Sequence, residues 1–213
     1  MDWTFNTKQI AESFDSHVRE QLPWYDLASE TVAIIARNYL RQNGVVYDIG
    51  CSTGNIAKRM VPLIQERACD FYGIDTSGDM ICRQQTDWGE AIHADALDYH
   101  YEPFSVAVCF LTLSFLTVDE REALIVRLRG ACESGGVIIV VDKFEAPGGY
   151  AGTVLRRITT SWKLINGASP SDILSKELSL SGVQRPLNRD ELPSDAVRFF
   201  QLGEFQGWII EKP

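Results

Sequence analysis

The sequence predicts an α/β fold: a seven-stranded, mostly parallel sheet that ends in an antiparallel C-terminal hairpin and carries a helical insertion before it. Three observations predict it. Val45, Val46 and Tyr47 form an apolar, β-rich run that passes at once into Asp48 and a Gly50-Cys51-Ser52-Thr53-Gly54 turn, and a helical pattern follows at Ile56, Met60, Val61 and Ile64. Strand, glycine turn and helix in that order open a doubly wound α/β unit. Four further strand-like runs follow, at 71–74, 90–94, 106–110 and 137–141. The last two, 197–202 and 206–210, flank Gly203-Glu204 and read as a hairpin.

The glycine turn organises the rest. Gly50 and Gly54 allow a tight reversal and let a ligand approach bare backbone. The N–H groups at the start of the following helix favour a negatively charged group. Length and composition agree with one globular unit. The chain has 213 residues, 45% of them hydrophobic, with no repeat, linker or low-complexity tract, so a single domain over 1–213 is expected. Its net charge of -9, from 29 acidic and 20 basic residues, argues against a broad nucleic-acid footprint. Cys51, Cys69, Cys82, Cys109 and Cys132 are odd in number and form no C-x-x-C pair. Reduced thiols, with neither a metal site nor a disulfide framework, are the reading. With no membrane-length apolar run and no signal peptide, a cytoplasmic protein is expected.

In chain order, residues 1–43 read as a helical cover. Trp3, Phe5, Ile10, Phe14 and Val18 suggest short amphipathic pieces, and Pro23 interrupts them. A helix over 27–40 places Val32, Ile35 and Leu40 on one side and stops at Asn43-Gly44. Trp24 and Tyr25 read either as packing against the sheet or as part of a ligand crevice beneath this cover. The second strand ends at Asp75, about 20 residues past the glycine turn, where an acidic side chain accepts hydrogen bonds from both ribose hydroxyls of an adenosine ligand. The alternative is that Asp75, Thr76 or Ser77 caps the next helix. Met80 and Ile81 lie one turn on, against an adenine face or in the core. Asp95 closes the third strand, where a carboxylate accepts from the exocyclic amine of adenine and the next N–H, that of Ala96, donates to a ring nitrogen. A solvated turn residue is the alternative. His93 reads as structural.

After the fourth strand comes the apolar run 111–116, then a helix over 120–132 with Asp119 as cap. Gly135-Gly136 turns into the fifth strand, which delivers Asp142, Lys143 and Phe144 at its carboxyl end. There Lys143 reads as a surface ion pair or as a contact to an anionic substrate. Residues 146–188 are too long for an ordinary crossover. They read as an insertion of two helices, 150–165 with Val154, Leu155, Ile158 and Trp162 inward, and 171–180. A last short helix is expected over roughly 190–197.

Asp48-x-Gly50-x-Ser52-x-Gly54, then Asp75, then Asp95, resembles the class I S-adenosylmethionine-dependent methyltransferases, whose fold is Rossmann-like. The turn is not the G-x-G-x-x-G of dinucleotide enzymes. Trp3-Thr4-Phe5, Leu22-Pro23-Trp24-Tyr25, Tyr47-Asp48-Ile49-Gly50-Cys51-Ser52, Thr112-Leu113-Ser114-Phe115-Leu116 and Lys143-Phe144 look, almost end to end, like the carboxy-S-adenosylmethionine synthase branch. Members of that branch convert S-adenosylmethionine and prephenate into a carboxylated cofactor for wobble-uridine modification in tRNA. The resemblance implies S-adenosyl-L-methionine, or its product S-adenosyl-L-homocysteine, as the bound cofactor. It places Tyr25 on the methionine carboxylate, and the backbone of Gly50, Cys51 and Ser52, after Asp48, along the methionine and ribose. Asp75 and Thr76 take the ribose and adenine edge, and Asp95-Ala96 the adenine. Phe110 stands where the family has a cofactor-contacting Asn. The resemblance also implies a homodimer through the insertion.

One substitution sets the functional expectation. The synthases bind the extra carboxylate of their product with an Arg in the insertion, and Glu177 falls at that position. A carboxylate there has the wrong sign, and Lys176 next to it is expected to point away. Arg156, Arg157 and Lys163 are the cations that stand in reserve. Methyl transfer to an unidentified acceptor is therefore the reading, with the synthase reaction and cofactor binding without transfer as alternatives. The acceptor is expected to be a small molecule rather than nucleic acid. Asn/Asp-Pro-Pro-Tyr/Phe is absent after the fourth strand, and so is a Pro-Cys dipeptide. No catalytic residue is required by the chemistry, because the sulfonium is already activated and positioning is what an enzyme adds.

Overall fold

The computed structural model describes residues 8–84 and 89–213, and of residues 8–11 the backbone only. Trp3, Phe5 and the side chain of Ile10 lie outside the described residues. The remaining N-terminal pattern forms one continuous helix, α1 (Lys8–Gln21), rather than short pieces, and α2 (Tyr25–Tyr39) follows after Pro23. α2 begins two residues earlier than the periodicity suggests and buries Tyr25, Ala28, Val32 and Ala36; Ile35 is only half-buried. It stops where Leu40 turns extended, and Asn43 then takes a positive φ of 55°.

The strands are β1 (Val45–Ile49), β2 (Asp70–Asp75), β3 (Glu90–His93), β4 (Phe104–Phe110), β5 (Cys132–Lys143), β6 (Val197–Leu202) and β7 (Phe205–Glu211). They form one seven-stranded sheet in the order β3-β2-β1-β4-β5-β7-β6. Strands β1 to β5 are mutually parallel, whereas β7 runs antiparallel to β5 and β6 antiparallel to β7. The strand order reverses between β1 and β4, the topological switch point above which open α/β sheets bind ligands. Helices α3 (Asn55–Glu66), α4 (Gly78–Ile81) and α5 (Val118–Ala131) connect the parallel strands, while α6 (Gly149–Ile165) and α7 (Pro170–Ser179) form the insertion.

Period-two alternation of the strands feeds two cores. Val106 and Val108 of β4, with Val137, Ile139 and Val141 of β5, pack beneath Val32, Ala36 and Met60 of α2 and α3. Ala107 and Cys109, with Ile138 and Val140, meet Leu124 and Leu128 of α5 on the other face. Every residue of β4 is buried, as expected of a strand covered on both sides. Each fully buried Val, Leu, Ile or Met side chain among them contributes about 1.5–3 kcal/mol by leaving water.

Four local expectations need correction. α5 is capped by Thr117, not Asp119. Thr117 and Glu120 make a reciprocal capping box, with the Thr117 N–H donating to Glu120 Oε2 at 2.8 Å. β5 begins at Cys132, before the Gly135-Gly136 pair, because Phe104 pairs with Cys132 and the register then shifts before Val106 pairs with Val137. α6 does not turn Val154 and Trp162 inward; both are exposed. Its inner stripe is Gly152, Leu155, Thr159 and Lys163, because the β6–β7 turn packs on Thr159 and the buried Lys163 ammonium reaches its partner Glu177 on α7. After the insertion there is only a 3-10 turn, Arg189–Glu191, and β6 already starts at Val197.

Candidate functional site

A crevice of about 310 Å³ opens at the carboxyl ends of the five parallel strands β1 to β5, within the range of small-molecule sites. The glycine turn forms its floor. Gly50 has φ 72° and Gly54 φ 77°, and a side chain on Gly50 would collide with Thr112. Thr112 itself locks the turn by donating Oγ1 to the Ile49 carbonyl at 2.7 Å. The turn is tied to the neighbouring strand as well: the Gly50 and Cys51 N–H groups donate to the Ile74 carbonyl at 2.8 and 3.1 Å. Gln84 Nε2 donates to the Ser52 carbonyl at 2.8 Å and to the Cys51 sulfur. Burial raises the Cys51 thiol pKa, so it stays protonated at neutral pH.

Asp75 stands at the lip of β2. Its Oδ2 accepts from the Ser52 N–H and its Oδ1 from the Ser77 N–H, each at 2.8 Å. The cap of α4 is Ser77, whose hydroxyl accepts from the Met80 N–H, so the capping alternative does not fall on Asp75. Burial raises the Asp75 pKa against the opposing pull of those amides. Thr76 and Met80 adjoin it along the crevice, and His93 serves structure by donating Nε2 to the Thr76 carbonyl at 2.9 Å. Asp95 and Ala96 line the same side; the Asp95 Oδ1 accepts from the Leu97 N–H at 2.8 Å, the turn contact expected of it as a loop residue.

Beneath the turn, Asp48 is 1% exposed, and its Oδ2 has no hydrogen-bond partner among the described residues. Burial, with the Asp75 carboxylate second, pushes its pKa up to about 8. Tyr25 is buried beside it, with its ring edge-on to Phe110 at 5.2 Å between centroids. Its phenol pKa rises through burial and then through the Asp48 charge. Phe110 gives the crevice an apolar wall where a polar side chain was the family expectation. Trp24 faces away and packs on Phe205 and Phe200, at 4.8 and 5.3 Å between centroids. All ten residues singled out from the sequence (Tyr25, Asp48, Gly50, Cys51, Ser52, Asp75, Thr76, Asp95, Ala96 and Phe110) border this one crevice.

The insertion supplies the remaining wall, and here the electrostatic expectation is corrected. Glu177 Oε1 lies 3.0 Å from Lys163 Nζ and its Oε2 lies 3.5 Å from Lys143 Nζ. Burial alone would raise the Glu177 pKa, but Lys143 and Lys163 together outweigh it and lower it. Lys176 does not point away. The crevice borders the last turn of α7, where Lys176, Glu177 and Leu180 all reach it, and Lys176 Nζ lies 3.1 Å from His17 Nε2. Adjacent helical residues diverge by about 100°, but long side chains cover that separation. Three ammonium groups thus surround one carboxylate, and the wall is cationic. Burial and then Lys163 push Lys176 down to about 8, and burial and then Lys176 push His17 down to about 4. Arg156 and Arg157, the other reserves, are exposed.

Sequence reasoning missed three contributors. His17 and Gln21 share the inner face of α1 with Phe14 and Val18; the helical spacing of the apolar pair was the available signal. Leu111, at the end of β4, has φ 58°, a strained value for a leucine that no local motif announces. Among the described residues, no group of three or more His, Cys, Asp or Glu could hold a metal ion, and no helix is long and apolar enough to cross a membrane.

Comparison with known proteins agrees with this geometry. A family model described as a methyltransferase domain matches residues 46–136. The carboxy-S-adenosyl-L-methionine synthase of Staphylococcus epidermidis is 31% identical over 99% of this chain and 97% of its own, and that of Vibrio cholerae is 28% identical over 98% and 87%. Among solved structures, the plantazolicin methyltransferase BpumL in complex with SAH superposes with a TM-score of 0.64 at 14% identity, covering 97% of this chain and 90% of that one. Human N-acetylserotonin methyltransferase in complex with SAM gives 0.60 at 13% identity, covering 98% and 57%. At such identities these two show the fold. Fold, crevice and full-length relatives together mean that the chain belongs to the class I S-adenosylmethionine-dependent methyltransferases and is similar, over nearly its whole length, to their carboxy-S-adenosyl-L-methionine synthase branch.

Proposed function

We propose that this protein binds S-adenosylmethionine in the strand-end crevice and transfers a one-carbon group to a small, anionic acceptor. The observation that carries the reading is the pairing of Asp75 with the glycine turn. Its carboxylate is aimed by the Ser52 and Ser77 amides at the end of β2, where it keeps lone pairs for two ribose hydroxyls. The residues fit the cofactor at its other end too. The unpartnered, buried Asp48 Oδ2 suits the ammonium of an amino acid, with Tyr25 beside it for the methionine moiety. Gly50, Cys51 and Ser52 offer bare backbone to the methionine and ribose, Thr76 supports the ribose edge, and Asp95 and Ala96 would hold the adenine.

S-adenosylmethionine supplies a carbon already activated on a sulfonium, so the protein has to position and desolvate rather than supply an acid or base. Phe110, Leu111 and Phe115 exclude water from the middle of the crevice, and Lys143, Lys163 and Lys176 would hold an anionic acceptor at its far wall. A second reading is favoured by that same lysine wall. The relatives are carboxy-S-adenosyl-L-methionine synthases, and an added carboxylate needs cations near the sulfonium once water is expelled. Lysines on β5, α6 and α7 would do here what a single arginine does in the synthases. The test is incubation with S-adenosylmethionine and either a metabolite extract or prephenate, read by mass spectrometry. A methylated product supports the first reading, and a carboxylated cofactor at catalytic turnover the second. Neither product, with no binding of the cofactor by calorimetry, would refute both.

A further inference from the structure

α1 roofs the crevice with Phe14, His17, Val18, Gln21 and Leu22, one face of the helix continued into the turn that follows it. The helix is fastened to the glycine turn through Asp15, which accepts from Thr53 Oγ1 at 2.6 Å and Asn55 Nδ2 at 2.7 Å and lies 3.5 Å from Lys58. Nothing in those contacts calls for a polar side chain at Gln21, whose neighbours Val18 and Leu22 are buried apolar groups. Yet Gln21 is 3% exposed, and its Oε1 has no hydrogen-bond partner among the described residues. A buried amide oxygen left without a donor is costly, so its presence inside a ligand crevice calls for a donor that arrives with the ligand.

The crevice contains a second atom of the same kind, Asp48 Oδ2. One comes from the sheet floor and the other from the roof. Both are acceptors, so the group they suit carries several N–H donors and a positive charge. The cationic side chains of the crevice have other partners: Lys143 and Lys163 engage Glu177, and Lys176 meets His17. We propose that Gln21 is a cofactor-binding residue, its Oε1 accepting from the α-ammonium of the cofactor's amino-acid end alongside Asp48. This rests on the cofactor reading above. It also gives α1 a ligand-dependent anchor at its C-terminal end, in addition to the Asp15 anchor at the glycine turn.

The experiment compares two ligands by calorimetry on the full-length protein: S-adenosylhomocysteine, and the analogue in which hydrogen replaces its α-amino group. The Gln21→Leu substitution should weaken S-adenosylhomocysteine about tenfold, roughly 1.4 kcal/mol, and leave the analogue within about twofold. Gln21→Glu keeps the side-chain shape and adds a charge, and it should widen the preference for S-adenosylhomocysteine beyond that of the wild type. It also carries the test if the leucine variant does not fold. An unchanged ratio of the two affinities in the folded variants overturns the contact while leaving the cofactor reading intact. Failure of the wild-type protein to bind either ligand overturns both.

Discussion

Asp75 and Asp48 are acidic residues a strand apart, and their surroundings give them different tasks. Asp75 keeps two backbone amides on its carboxylate. Its Asp75→Ala variant should lose about 1–3 kcal/mol of S-adenosylhomocysteine affinity, the scale for hydrogen bonds to a charged group, and unchanged calorimetric affinity would remove it from the site. Asp48 is the titrating group, with its pKa pushed up to about 8. In the free protein at pH 7 it therefore holds its proton, and pairing with a ligand ammonium favours the ionised form. Binding at pH 7 should release roughly one proton, read from calorimetry in buffers of different ionisation enthalpy, and almost none at pH 9. The sign for stability is the reverse of a salt-bridged carboxylate. The unfolded chain gives up this proton near the ordinary pKa and the folded protein only near 8. The stability contribution of Asp48 is thus highest at low pH and is lost as pH rises between those two values. Asp48→Asn should flatten both profiles.

The insertion matters as an element because its two helices bring charges from distant sequence positions to one wall. Glu177→Gln would release Lys143 and Lys163 from their shared carboxylate, while Lys163→Met would remove one of the two. With prephenate as the probe anion, the first should tighten binding and the second weaken it, each about tenfold; equal affinities by calorimetry would detach this wall from the acceptor. The insertion is held by a second device. Arg121 of α5 is fully buried and donates to the Leu116 carbonyl at 3.0 Å, to Glu191 at 2.7 Å and to the carbonyls of Arg185 and Pro186. It clamps the strap that returns from α7, which also donates the Arg185 N–H to the Ser114 carbonyl at 2.7 Å. Arg121→Met leaves Glu191 and three carbonyls without their donor, and a loss of about 3–5 kcal/mol in denaturant unfolding is expected. A change below about 1 kcal/mol would show that the strap stands without the clamp.

At the scale of the molecule, the crevice is assembled from five strand ends, the glycine turn, the roof helix and the insertion, so ligand binding and global stability are linked. A ligand at 100 times its Kd adds about 2.7 kcal/mol to the folded state. For a chain of this size that corresponds to a rise in Tm of roughly 5–10 °C, to be read by scanning calorimetry with S-adenosylhomocysteine. No shift at saturating concentration would mean that the crevice does not take it.

The sheet was legible in the sequence because both of its signals are local. Apolar runs such as 106–110 and the turn between Gly50 and Gly54 need no distant partner to be read, and strand ends carry functional side chains in any doubly wound sheet. This is why the sequence could place Asp48, Asp75 and Asp95 at strand ends, where they border the crevice. The charge of the far wall was not legible. Glu177 is a carboxylate in the sequence, yet in space it is the counter-ion of Lys143 and Lys163, 34 and 14 residues away along the chain (177 − 143 and 177 − 163). The rotation of α6 was hidden for the same reason. Apolar periodicity assigned Val154 and Trp162 to the inside, whereas the fold turned Thr159 and Lys163 inward because their partners lie on other elements. Local propensity and spacing determined the strands, the turn and the class of ligand. The tertiary structure alone decided the sign of the far wall of the crevice and the burial of Gln21, because electrostatic and desolvation energies depend on distances that the chain order does not contain.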